Sequence, residues 1–277
     1  MGDIVVKSKL TKDEMSIIIE NSLVDYLKIV SKNGDRPFIL DKKIGWVRTF
    51  PTAWSNYIFY SNFDDNEITD QVSQVITGIR SGELPDEWLV GPKSRPLNLC
   101  DYLENNDFKK QYDMAGMAIN LTKLDTTISI PDGINVVTVD NILMIKSWVD
   151  VVSKGLWNGN TFEACLFKDL IHDSKCKFYL AFLNGEPVAT SMLLLSKKIA
   201  SIDMVATLKE HRGMGIGTVM TLIPLLYARD NGYKIGVLQA SAAGEPVYRK
   251  IGFEEYCRFN VYKYQKVSNC NETNKHN

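Results

Sequence analysis

The sequence predicts an α/β (α+β) fold, from two observations. Segments with apolar residues at helical spacing alternate along the chain with short apolar, β-branched runs. Near the C-terminal end, Ser201 to Ala228 reads as strand, glycine-rich turn and helix start in direct succession. At 277 residues there is room for one large domain or two ordinary ones.

In chain order, residues 13–31 place Ile18, Ile19, Leu23, Tyr26, Leu27 and Val30 on one helical face. Strands are predicted at Pro37 to Leu40, Ile44 to Thr49 and Tyr57 to Tyr60, and a helix at Glu67 to Arg80 with Val72, Val75, Ile76 and Ile79 on one side. Trp88 to Val90 reads as a strand, Leu97 to Leu103 as a helix running on to Phe108, and Met114 to Leu121 as a further strand. Lys123 to Gly133 is polar and ends in Pro-Asp-Gly, a turn signal that marks a linker. Beyond it come a strand (Ile134 to Val139), a helix (Ile142 to Val152), an amphipathic segment (Phe162 to Ile171) and a strand (Phe178 to Leu183). Asn184-Gly185 is a hairpin turn, and Pro187 to Ser196 is its returning strand. Tyr256 to Tyr264 alternates and is expected to close the sheet. The expected division is an N-terminal α/β domain over 1–125, a second domain over 126–267 and a flexible tail over 268–277.

Composition narrows the function classes. The chain is 45% apolar and 23% charged, with a net charge of −1, which gives no electrostatic case for nucleic acid or an anionic membrane. Five scattered cysteines without a C-x-x-C pair argue against a disulfide framework and against a metal site. No apolar run is long enough to span a membrane and the start has no signal-peptide core, so a cytoplasmic protein is expected.

Chemistry concentrates in the late stretch. After the strand Ser201 to Thr207 comes Arg212-Gly213-Met214-Gly215-Ile216-Gly217, then Ile216, Val219, Met220, Ile223 and Tyr227 on one helix face. A helix start offers unpaired N–H donors and partial positive charge, and glycines let a ligand's phosphates approach them. The P-loop's Gly-Lys-Ser/Thr ending is missing, and the dinucleotide spacing G-x-G-x-x-G is not met. The pattern is R-x-x-G-x-G. Further on, a second strand (Lys234 to Ala240) leads through Ser241 to a short helix with Pro246 near its start, carrying Val247-Tyr248-Arg249-Lys250-Ile251 and ending at Gly252-Phe253.

These two pieces, R-x-x-G-x-G and Y-x-x-x-G-F in that order, resemble the GNAT N-acetyltransferase superfamily. The resemblance implies a mixed twisted sheet flanked by helices, with acetyl-CoA as the cofactor and no metal. It also implies a pantetheine arm between two splayed parallel strands, held by backbone groups of Val205, Ala206 and Thr207. The amides of Arg212, Gly213, Met214, Gly215, Ile216, Gly217 and Thr218 would hold the pyrophosphate. Lys209 and Thr207 depart from the family's frequent proline and valine. Tyr248 matches the general acid, and Ser241 stands where the family often has a pantetheine-contacting asparagine; a turn-forming serine is the plain alternative. Asp203 and His211 are the candidate bases, against a water-facing strand carboxylate and a solvated turn histidine. Within the N-terminal half, strand, turn, helix and Phe108 echo Leu238 to Phe253, which implies a tandem arrangement whose first copy lacks the phosphate loop. The implied function is acetyl transfer to a small-molecule amine, with a non-catalytic acyl-CoA-binding or partner-binding module as the alternative. Monomer and homodimer both stay open. Pro224, inside the predicted helix after the loop, is the one discordant residue, since an interior proline costs about 3 kcal/mol.

Overall fold

The computed structural model describes residues 10–32, 37–48, 56–125, 128–157 and 164–265. The first half runs α1 (Lys12–Ser31), β1 (Phe38–Leu40), β2 (Ile44–Val47), β3 (Tyr57–Ser61), α2 (Ile68–Arg80), β4 (Glu87–Val90), α3 (Leu99–Glu104) and β5 (Phe108–Asn120). The second runs β6 (Ile134–Thr138), α4 (Ile142–Leu156), β7 (Cys176–Leu183), β8 (Glu186–Ser196), β9 (Ile199–Thr207), α5 (Ile216–Asp230), β10 (Ile235–Ala240), α6 (Glu245–Ile251) and β11 (Glu254–Tyr264). Local chemistry sets several of these boundaries. Thr11 and Glu14 form a reciprocal capping box at the start of α1. Asn184 and Gly185 take positive φ (53° and 90°) in the β7–β8 turn. Gly252, at φ 107°, ends α6 in the left-handed conformation that a Cβ disfavours.

Among the described residues the strands form one mixed, mostly antiparallel sheet, ordered β1-β2-β3-β4-β11-β5-β10-β9-β8-β7-β6. Its connectivity repeats. The sequence β1-β2-β3-α2-β4-α3-β5 is matched by β7-β8-β9-α5-β10-α6-β11, and the strands that flank the middle helix are parallel in both copies (β3 with β4, β9 with β10). The last strand of each copy is exchanged. β5 pairs with β10 from Ile235↔Asn120 to Ala240↔Ala115, and β11 pairs with β4 from Asn260↔Val90 to Lys263↔Glu87. β5 and β11 then pair with each other at the centre. The sequence boundary at 125/126 therefore does not coincide with an edge of the sheet.

Three expectations are corrected by the structure. Tyr256 to Tyr264 does not close the sheet; β11 is an interior strand between β4 and β5. The helix predicted to run to Phe108 ends at Glu104, because Phe108 is already ladder-paired to Tyr264 in β5. Of Phe162 to Ile171, residues 162 and 163 lie outside the described residues, and the remainder forms two 3-10 turns, Ala164–Phe167 and Leu170–His172.

Helices cover both faces. α1 and α4 pack on one face around Trp148, Phe178, Met192, Val237 and Phe259, and α5 and α6 on the other around Leu193, Ile202, Leu238 and Tyr248. α2 and α3 bury Trp88, Phe108 and Tyr262. α5 runs without interruption through the buried Pro224 to Asp230. No helix among the described residues is long and apolar enough to cross a membrane.

Candidate active site

The sheet opens at one place. β9 and β10 are paired only at Ile235↔Ile199, Gly236↔Ala200 and Val237↔Ser201. Beyond Ser201 the two strands separate, each still paired on its outer side: Ala206 with Thr190 and Thr207 with Ala189, Leu238 with Met117 and Ala240 with Ala115. The edge of β9 that faces the gap, Ile202 to Thr207, thus has no strand partner. Backbone donors and acceptors inside a sheet need partners, and an extended ligand can supply them as an added strand does. A bulge shapes this edge. Met204 has φ 53°, the β8 register shifts between Thr190 and Met192, and the Thr190 hydroxyl donates to the Met204 carbonyl at 3.0 Å.

At the top of the gap, β9 passes through the 3-10 turn Lys209–His211 into the start of α5. Gly213 (φ 80°) and Gly215 (φ 81°) occupy the left-handed region, so their identity is dictated by backbone conformation. Gly217 is different. A Cβ there would meet only the Thr207 hydroxyl, at 3.9 Å, so neither conformation nor packing calls for glycine. The amides of Gly213 to Gly217 make no hydrogen bond among the described residues, whereas Thr218 and Val219 already bond the Gly215 carbonyl. Arg212 fixes the loop: its Nε donates to the Thr207 carbonyl at 3.1 Å and its Nη2 to the Gly155 carbonyl of α4 at 2.9 Å. α4 comes this close because Gly155 has no side chain; a Cβ would stand 3.0 Å from that of Ala206. A cradle of free amides at a helix start, lined by glycine beyond what the fold requires, fits a diphosphate.

Two ionisable groups flank the gap from opposite faces. Asp203 shares the α1/α4 face with Ile199, while Ile202 faces α5. It is half-buried, accepts the Ser201 hydroxyl at 2.8 Å, and is pushed up to about 7 by burial, with the Ser201 bond acting the other way. Tyr248, 8% exposed, packs edge-on to Phe253 on the α5/α6 face and sits against Gly244, where a Cβ would lie 2.9 Å from its ring. Burial first, and the negative charge of Asp203 second, raise its pKa. The Tyr248 hydroxyl makes no hydrogen bond among the described residues.

The other predicted positions divide. Val205 is half-buried on the α5 side and Ala206 is buried against Gly155 of α4, with Thr207 at the mouth. The Ser241 hydroxyl accepts the Gly244 amide at 3.3 Å, the geometry of a turn-forming serine. His211 is half-buried and closes the 3-10 turn beneath Arg212. Ser201, Thr190 and Gly155 carry no signal in the sequence. Their roles depend on strand register and helix approach, which leave no local pattern.

The corresponding gap in the first half is stitched shut. Beyond the β3–β4 pairs, the Arg95 amide bonds the Ser61 carbonyl (2.8 Å) and the Phe63 amide bonds the Arg95 carbonyl (3.2 Å). Glu20, 3% exposed, fills the space beside Gly91 and accepts the Lys93 amide at 2.8 Å. The start of α2 follows Asp64, Asp65 and Glu67, charges that repel a phosphate. No group of His, Cys, Asp and Glu side chains among the described residues is arranged to hold a metal ion.

Comparison with known proteins agrees with this geometry. Residues 144–253 match the acetyltransferase (GNAT) family. The second half of the chain thus carries a segment that matches the GNAT acetyltransferase family. Its fold is similar to that of a GCN5-related N-acetyltransferase from Kribbella flavida, at 14% identity and TM-score 0.67, over 89% of this chain and 95% of that one. A GCN5-related N-acetyltransferase from Sphaerobacter thermophilus is 17% identical over 72% of this chain and 68% of that one, with TM-score 0.57. A tandem GNAT protein from the clavulanic acid biosynthesis pathway is 12% identical over 91% of this chain and 96% of that one, with TM-score 0.53.

Proposed function

We propose that this protein is an acetyl-CoA-dependent N-acetyltransferase that passes an acetyl group directly to the amine of a small-molecule acceptor. The observation that carries the reading is the edge of β9 without a strand partner (Ile202 to Thr207), which leads to the free amides of Gly213 to Gly217. The edge suits a pantetheine arm and the amides a pyrophosphate. The bound cofactor supplies a thioester-activated acetyl group.

The protein's own residues would do the rest. An amine with a pKa near 10.4 is almost fully protonated at neutral pH, a deficit of about 4–5 kcal/mol. Asp203, titrating near 7, is suited to take the proton from the attacking nitrogen on the α1/α4 face. Tyr248, kept protonated by burial, is suited to give one to the departing sulfur from the other face. The closed gap in the first half supports a single cofactor site per chain, the first half serving as a wall of the acceptor cleft.

The test is thiol release from acetyl-CoA across a panel of amines, with Tyr248→Phe as control. Amine-dependent release that falls sharply in the variant is expected. Tight coenzyme A binding without release for any amine would mean a non-catalytic acyl-CoA-binding module instead.

A further inference from the structure

A cavity of about 710 Å³ opens at the start of β10, the end away from the gap. It forms where the two halves are joined. There β5 ends in the 3-10 turn Leu121–Lys123, and the Leu121 amide bonds the Lys234 carbonyl just ahead of β10 at 2.9 Å. Met15 of α1, Ala118 and Ile119 of β5, Leu124, Ile235 of β10 and Ile251 of α6 give it apolar walls. Its size falls within the range of about 300–1,000 Å³ common for small-molecule sites, which are mostly apolar with a few polar groups that orient the ligand.

The polar groups at this cavity are mostly donors. Lys123 and Lys234 line it and are exposed, so their ammonium groups stand at its mouth. Neither forms an ion pair among the described residues. Asn120 lies at the mouth with them. Its side-chain carbonyl accepts the Thr122 amide at 3.0 Å and the Thr122 hydroxyl at 2.8 Å, which leaves its NH2 group to donate. Glu254 is the one carboxylate on the wall among the described residues, and it is engaged by the Tyr256 hydroxyl at 3.1 Å. Three donor groups without a protein acceptor thus gather at the opening of an apolar chamber.

We propose that this cavity binds an amphipathic anion, a medium-chain carboxylate. Its apolar chain enters between α1, β5 and α6, and its head meets Lys123, Lys234 and Asn120. Burial of the methylenes supplies affinity, and the donors select the charge. The site lies apart from the gap and does not depend on the acetyltransferase reading.

The experiment is calorimetry of decanoate with the full chain, with and without coenzyme A, against acetate and decylammonium. Decanoate is expected to bind on the order of tenfold or more tightly than decylammonium, acetate not measurably, and coenzyme A not to compete. Lys123→Met and Lys234→Met should each weaken decanoate by about threefold to fivefold without weakening decylammonium. Leu10 lines the cavity and is 40% exposed, so Leu10→Glu leaves the fold intact; it should weaken decanoate about tenfold and tighten decylammonium. Equal affinity for the two chains, lysine variants that bind decanoate as wild type does, or displacement by coenzyme A would each overturn the assignment. So would absence of decanoate binding; if the chain then sediments as a dimer, the apolar walls belong to a contact with a second copy.

Discussion

Asp203 and Tyr248 flank the β9–β10 gap from opposite faces of the sheet, and the negative charge of the first raises the pKa of the second. One group thus titrates near neutrality and the other stays protonated, which is the split that the acid and base roles proposed above require.

With Asp203 titrating at about 7, kcat/KM should rise through that value and level off above it. Asp203→Asn should abolish this inflection in a pH–rate profile. Stability should move the opposite way. The folded pKa lies above the unfolded value of 3.8, so the unfolded chain releases the proton first and stability falls as pH rises from 3.8 to about 7. The asparagine variant escapes this loss, at most about 4 kcal/mol. Thermal melts should show it more stable than wild type above neutrality, with the difference vanishing in acid.

Gly217 separates binding from folding. In the first turn of α5, alanine is worth up to about 1 kcal/mol over glycine, and its Cβ meets nothing closer than 3.9 Å. Gly217→Ala should melt at the same temperature or higher, yet bind coenzyme A on the order of tenfold more weakly by calorimetry. Gly215→Ala should lose both, since alanine at φ 81° costs about 1–2 kcal/mol.

Tyr248→Phe should leave the melting temperature nearly unchanged, because no protein hydrogen bond to the hydroxyl is lost. Its kcat should fall on the order of a hundredfold, with KM for acetyl-CoA little altered. A stopped assay with single-turnover controls distinguishes this from slow product release.

Residues 126–277 expressed alone should lack a cooperative unfolding transition. β10 would lose its six pairs with β5, and β11 would lose both neighbours. Sharp melting of this fragment by circular dichroism, together with coenzyme A binding, would contradict this.

What the sequence disclosed was local. The turn from β9 into α5 is written in residues 207–217, because two of its glycines hold positive φ and Gly217 leaves space for a ligand, requirements visible within a dozen positions. The Asn184-Gly185 hairpin is legible for the same reason. Strand exchange is not: Val90 meets Asn260, and neither residue differs from what an unexchanged strand would carry. The same holds for Asp203, whose burial comes from elements distant in the chain. Met204's left-handed backbone gives no sign in the sequence, since methionine has no preference for that region.

The exchanged strands also govern how the molecule comes into being. On the ribosome, β4 emerges long before Asn260 to Lys263 are translated, and it must wait with an open flank until synthesis is almost complete. The first half cannot be finished early and stored. A stop codon a few residues before Asn260 would spoil the architecture at both ends of the polypeptide at once.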